Sequence, residues 1–155
     1  MAEIGDTLNK ISREILDAAF NVHRALGPGL MESVYETVLA RDLERRGLGA
    51  IRQVPISFDY DGLHFSDAGR IDLLVENQIV VELKSVERFA PVHPKQVLTY
   101  LRLLNLPLGL LINFGMPMLK DGICRIANSS VPREQPIPRT ASRSGGKGPA
   151  AGTCP

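Results

Sequence analysis

The sequence predicts an α/β protein in which a central mixed β-sheet is flanked by helices. Three observations predict it. Helical periodicity occupies the first 46 residues, the period changes to strand-like alternation from residue 54, and a third helical stretch separates the later apolar strands. The resulting order is helix, helix, three or four strands, helix, strand, strand, which suits one sheet with helices packed on it. A length of 155 residues is one domain's worth. With 44% hydrophobic and 23% charged residues, the composition is that of an ordinary globular protein. A chain of this size buries roughly two-thirds of its unfolded surface, so it needs no disulfide or structural metal to stand.

Residues 4–26 read as a helix because Leu8, Ile11, Ile15, Ala18, Ala19, Val22 and Leu26 recur at helical spacing. Lys10, Arg13 and Asp17 fall off that face. Gly27-Pro28-Gly29 stops the helix. A second helix spans 30–46, its stripe made by Val34, Val38, Leu39 and Leu43, with Gly47 as the C-terminal cap. Residues 54–60 alternate (Val54, Ile56, Phe58, Tyr60) and read as a strand. Asp61-Gly62 then turns the chain into 63–66. Two apolar strands, 70–75 and 79–84, lie either side of Glu76-Asn77-Gln78. Residues 93–104 look helical, 108–113 form a buried strand, and 123–127 close the domain after the Asp121-Gly122 turn.

The folded domain is therefore expected over 1–128. From residue 129 the chain holds five prolines, four glycines, four basic residues and one acid. Such a segment buries too little to offset its ordering entropy, so 129–155 is expected to be a disordered basic tail rich in proline, glycine and serine. The formal net charge of +1 excludes a protein held on nucleic acid by bulk charge alone. Cys124 and Cys154 are too few and too far apart for a disulfide framework or a zinc knuckle, and a reducing, cytoplasmic setting is expected. The N-terminus carries Glu3, Asp6, Lys10 and Arg13 before any apolar run and does not read as a signal peptide. The stretch 97–114 is interrupted by Arg102, Asn105 and Pro107, which argues for core and against a membrane span.

Two strands contain charges where an apolar strand should not. Arg70 and Asp72 share one side of the first, Glu82 and Lys84 one side of the second. Register decides whether the two charged sides coincide. If Asn77-Gln78 were a two-residue turn, Asp72 would face Leu83. If Glu76, Asn77 and Gln78 all lie in the loop, Val75 pairs with Ile79 and Asp72 lies across from Glu82. Two carboxylates at a Cβ separation of about 5 Å repel each other unless a cation sits between them. Hard oxygen ligands suit Mg²⁺, and Lys84 would lie beside a bound water as an orienting cation. The alternative is an ion-pair lattice, Asp72 with Arg70 and Glu82 with Lys84.

Glu32, Tyr35 and Glu36 lie within one turn of the second helix. An acid at Glu32 also complements the helix dipole, and Tyr35 also suits half-buried packing. Gln96 and Tyr100 share a face of the third helix and could bind phosphate or brace the site, although a polar rim is an equal reading. His23 reads as solvent-facing or capping, and His93 as a helix-entry residue. No zinc spacing, phosphate-cradling glycine loop or nucleophile elbow is present.

Gly29-x-x-Glu32-x-x-Tyr35 resembles the signature of the GxxExxY proteins. Asp72 followed after nine residues by Glu82-x-Lys84 resembles the core of the PD-(D/E)xK nuclease superfamily, with Ile71 where its name has a proline. Gln96-x-x-x-Tyr100 resembles the additional motif of that superfamily's exonuclease branch. The resemblance covers about residues 7–127, including the run from Leu108 to Gly115. It implies a restriction-endonuclease-like core and Mg²⁺ (or Mn²⁺) held by Asp72, Glu82, the Leu83 carbonyl and Glu32. It implies Lys84 positioning the attacking water, and Tyr35, Gln96 and Tyr100 contacting substrate or supporting the site. The expected activity is metal-dependent phosphodiester hydrolysis of DNA or RNA. The competing expectation is a non-catalytic module on the same fold that binds nucleic acid or protein. Arg88, Lys95 and Arg102 could line a cleft near the third helix, and a homodimer through the long first helix is compatible with either.

Overall fold

The computed structural model describes residues 4–130. The elements are α1 (Ile4–Leu26), α2 (Glu32–Arg45), β1 (Ala50–Pro55), β2 (Phe58–Tyr60), β3 (Leu63–Phe65), β4 (Arg70–Val75), β5 (Ile79–Lys84), α3 (Val92–Leu104), β6 (Leu108–Asn113), a 3₁₀ turn (Leu119–Gly122) and β7 (Ile123–Ala127). Five strands form one mixed sheet in the order β1-β4-β5-β6-β7. Only β5 and β6 run parallel, with α3 as their crossover. The expected tail falls almost wholly on 131–155, outside the described residues.

Helices cover both faces of this sheet. On one side Ile11, Ile15 and Val22 of α1 and Leu39 and Leu43 of α2 pack with Leu73, Val75, Val81, Leu83, Leu110 and Ile112. On the other, Val97 and Leu101 of α3 pack with Val80, Leu111 and Ile126. A strand buried on both faces has no polar side to show, which is why β6 reads as a continuous apolar run. The apolar face of α1 is spent on the chain's own core. Among the described residues, no helix is long and apolar enough to cross a membrane.

Three expectations are corrected here. The strand expected at 54–60 is two strands. Val54 and Pro55 end β1, and Phe58 opens a separate two-stranded hairpin with β3. Buried Ile56 sits between them, its N–H donating to Gly69 O at 2.8 Å and its carbonyl accepting Ala68 N–H at 2.9 Å. That contact turns the chain while the alternation continues. The 50–53 half of β1 had no periodic signal, because its exposed edge residues need none.

The inward stripe of α2 is Tyr35, Glu36, Leu39 and Leu43, whereas Val34 and Val38 face out. The aromatic ring sets this rotation. Tyr35 is fully buried and stacks on Phe114 with centroids 4.4 Å apart. Its hydroxyl donates to Gly27 O at 2.5 Å and accepts Leu30 N–H at 3.1 Å, clamping the turn in which Gly27 and Gly29 take φ of 72° and 101°. Tyr35→Phe is expected to cost about 1–2 kcal/mol in urea unfolding, because two backbone groups lose a buried partner. A loss under half of that lower figure would show that water replaces the hydroxyl.

His23 is half-buried rather than solvent-facing. Its Nε2 contacts Met116 O at 2.8 Å, tying the end of α1 to the loop after β6.

Candidate active site

The β4–β5 hairpin creates the site. Glu76 and Asn77 take φ of 52° and 54°, and Gln78 N–H closes on Val75 O at 3.0 Å. Gln78 is left as an extra residue, so Val75 pairs with Ile79 and Leu73 with Val81. This is the register that sets Asp72 across from Glu82. The regular ladder stops at Leu73–Val81, and beyond it the carboxylates take over the bonding. Glu82 Oε1 accepts Asp72 N–H at 3.0 Å, and Asp72 Oδ2 accepts Leu83 N–H at 2.8 Å. The strands fork here: Leu73 joins the core under α1 and α2, while Ile71, two residues back, joins the core under α3.

The alternative ion-pair lattice does not form. Arg70 pairs with Asp67 at 3.6 Å, away from the site. Among the described residues, Lys84 makes no salt bridge with a carboxylate within 4.0 Å. Its ammonium still bears electrostatically on Asp72, Glu82 and His93.

Two carboxylates in a desolvated fork hold protons more firmly than free acids. Burial, then the neighbouring charge of Asp72, pushes Glu82 up to about 8. Burial also raises Asp72, helped by the charges of Glu36 and Glu32, while the Leu83 N–H and Lys84 oppose the rise. Above the ordinary carboxyl value of 4.5 the unfolded chain releases the Glu82 proton and the folded chain keeps it. The native state then binds more protons than the unfolded state, so stability falls as pH rises. In EDTA the melting temperature is expected to fall between pH 4.5 and about 8, and Glu82→Gln should flatten that slope. A slope identical in the two proteins would contradict the assignment.

The end of α2 is drawn to the same place. Glu32, in its first turn, accepts Ser85 N–H on Oε1 at 3.4 Å, and Ser85 Oγ donates to Leu30 O at 2.6 Å. Glu32, Glu36, Gln53, Asp72, Ser85 and Val86 line a cleft of about 780 Å³. Tyr35 lies beneath this cleft, fully buried, and supports the turn that places Glu32. Tyr100 approaches from the α3 side. Its hydroxyl would lie 2.9 Å from a Cβ at Gly69, so a larger residue there would push the phenol aside. Burial, then the charges of Glu82 and Asp72, raise its pKa. Gln96 is half-buried one turn earlier on the same helix, with no hydrogen bond to the carboxylates among the described residues.

Three residues at or behind this cleft had been given no role. Glu36 is 5% exposed, an acid on the inward face of α2, and that position was its one available signal. Gln53 sits on β1, donating to Glu36 and Asp72. Asn113 is fully buried behind the cleft. It receives Val86 N–H and Gly115 N–H on Oδ1, both at 3.0 Å, and donates from Nδ2 to Val86 O at 2.9 Å. Neither Gln53 nor Asn113 has a local signal, because their partners are distant in sequence.

Asp72 and Glu82 each have one oxygen held by a backbone N–H, and the second Asp72 oxygen carries only the long 3.4 Å contact from Gln53, so both acids keep lone pairs that a ligand can use. Such a hard oxygen pair fits Mg²⁺, which takes one or two carboxylates and completes its shell with water. Among the described residues, no three His, Cys, Asp or Glu side chains converge as a ready-made cage.

A mixed sheet covered by helices on both faces, with a forked acidic hairpin beside a lysine, defines a restriction-endonuclease-like core. The chain belongs to the PD-(D/E)XK nuclease superfamily, whose family model matches residues 9–126. No curated protein and no solved structure matches it.

Proposed function

We propose that this protein is a metal-dependent nuclease that hydrolyses phosphodiester bonds in DNA or RNA. The observation that carries the reading is the reciprocal bonding of Asp72 and Glu82 across the fork, beside a Lys84 ammonium that makes no salt bridge within 4.0 Å among the described residues. Asp72, Glu82 and the Leu83 carbonyl would hold Mg²⁺ or Mn²⁺, with Glu32 completing the acidic wall of the cleft. When bound, the cation neutralises phosphate charge and lowers the pKa of water. Lys84 orients the attacking water and stabilises charge on the phosphate oxygens. The water oxygen attacks phosphorus in line as the bond to the leaving sugar oxygen breaks. Tyr100 and Gln96 would steady the flanking backbone from α3. The Gly29, Glu32 and Tyr35 arrangement supports membership of the GxxExxY branch, since Gly29 and the Tyr35 hydroxyl shape the turn from which Glu32 reaches Ser85.

The test is incubation of the full chain with labelled single- and double-stranded DNA and RNA, in Mg²⁺, Mn²⁺ or EDTA. Cleavage that needs metal and disappears in Glu82→Ala is expected. Salt-sensitive binding without cleavage in any metal would replace this reading with the non-catalytic binding module.

A further inference from the structure

Within β1 one residue leaves regular strand backbone. Gln53 has φ of 53°, while Arg52 and Val54 on either side keep their pairing with Leu73 and Ile71. The displaced residue therefore lies opposite Asp72. A left-handed φ is uncommon for glutamine and persists only where the surroundings over-determine it.

The surroundings here are the cleft. Gln53 Nε2 donates to Glu36 Oε1 at 2.5 Å and reaches Asp72 Oδ1 at 3.4 Å. Both neighbours are carboxylate oxygens, so the amide must present its NH₂ and not its carbonyl. Glu36 is held in turn by Arg52, whose Nε and Nη2 donate to Oε2 at 3.1 and 2.8 Å. Arg52 is anchored by a further bond to Thr37 Oγ1 at 2.9 Å. The result is a fixed chain of contacts, Arg52 to Glu36 to Gln53 to Asp72.

Asp72 needs that support. The Leu83 N–H fixes Oδ2 alone, and a carboxylate held at one oxygen can still pivot about its terminal torsion. A donor on Oδ1 sets the plane of the group. The same NH₂ stands between Asp72 and Glu36, whose like charges would otherwise repel.

We infer that Gln53 is a positioning residue for the cleavage reaction, orienting the Asp72 carboxylate toward the cation and the scissile phosphate. The inference rests on the nuclease reading above. In this left-handed conformation the amide reaches both acids.

The test uses the full chain with Gln53→Gly, which accepts the left-handed backbone and removes the amide. Gln53→Asn, which also tolerates that backbone but is one methylene shorter, serves as a second variant. Mn²⁺ affinity by calorimetry, thermal melting, and kcat and KM are measured together. Gln53→Gly is expected to melt close to wild type, because relief of the left-handed backbone offsets the lost bond to Glu36, to bind Mn²⁺ about tenfold more weakly and to lose about 10–100-fold in kcat with KM little changed. Gln53→Asn should behave alike. Mn²⁺ affinity within twofold of wild type overturns the inference, as does a fall in melting temperature that tracks the fall in affinity. A wild type that binds Mn²⁺ and cleaves nothing overturns the nuclease reading alone, and the affinities then decide the role of Gln53. A wild type that binds no Mn²⁺ overturns both.

Discussion

Lys84→Ala is expected to lower kcat for phosphodiester cleavage by about 10²–10³-fold, the loss usual for one preorganised charge donor. Mn²⁺ affinity should stay unchanged or rise, because the substitution removes a positive charge beside the proposed cation site. The expectation follows from what Lys84 does not do. It closes β5 beside two acids, yet makes no salt bridge with either among the described residues. An ammonium spent on an ion pair would be part of the scaffold. One held near the acids without a pairing contact remains available to a water molecule and a phosphate. Single-turnover cleavage alongside Mn²⁺ calorimetry separates the two roles. If kcat and kcat/KM fall together at constant affinity, the interaction was made in the transition state. A rate and an affinity that fall in step would show that Lys84 builds the metal site instead. Glu82→Ala should show that second pattern if, as proposed, it removes a ligand.

The largest expected effect on stability is at Asn113. Asn113→Ala should cost about 3 kcal/mol in urea unfolding, since a buried polar group left without a partner typically costs about 1–3 kcal/mol and several are involved here. Val86 N–H, Val86 O and Gly115 N–H all lose their bond to this side chain. The site lies at the C-terminal ends of the parallel strands β5 and β6, where both chains leave the sheet. With the ladder finished, the Asn113 amide bonds backbone groups beyond the ends of both strands. Ser85 and Val86 line the cleft, and Ser85 N–H meets Glu32, so the variant should also weaken Mn²⁺ binding. Asn113→Asp offers a sharper control: it keeps the acceptor, loses the donor and buries a charge, so it should be no more stable than the alanine variant. A loss below about 1 kcal/mol for Asn113→Ala would mean that water enters and satisfies the exposed groups.

The sheet and its helices could be read from local pattern. Residues 4–26, 70–75, 79–84, 108–113 and 123–127 end where their periodicity ends. Each is long enough, and buried on a defined face, for periodicity to report it. The pattern failed where a tertiary contact overrode it. Alternation runs unbroken from Val54 to Tyr60, but the backbone hydrogen bonds of Ile56 to Ala68 and Gly69 divide it between two sheets. Val34 and Val38 have helical spacing, but stacking of Tyr35 on Phe114 turns them outward.

The sequence by itself determined the α/β class, the strand pair that carries Asp72, Glu82 and Lys84, and the motif spacing that resembles a nuclease core. Those features depend on neighbours within a few residues, where chain geometry dictates which side chains share a face. Only the tertiary structure decided which of two hairpin registers holds. The choice depends on one extra residue in a tight turn, and a one-residue slip would send the carboxylates to opposite sides. It also decided that Glu36 and Gln53 join the cleft and that Asn113 stands behind it. Their hydrogen bonds span from 16 to 27 residues, apart from the local Asn113–Gly115 bond. Contacts at that separation leave no periodic trace, because they exist only once α2, β1 and the ends of β5 and β6 have packed around the same fork.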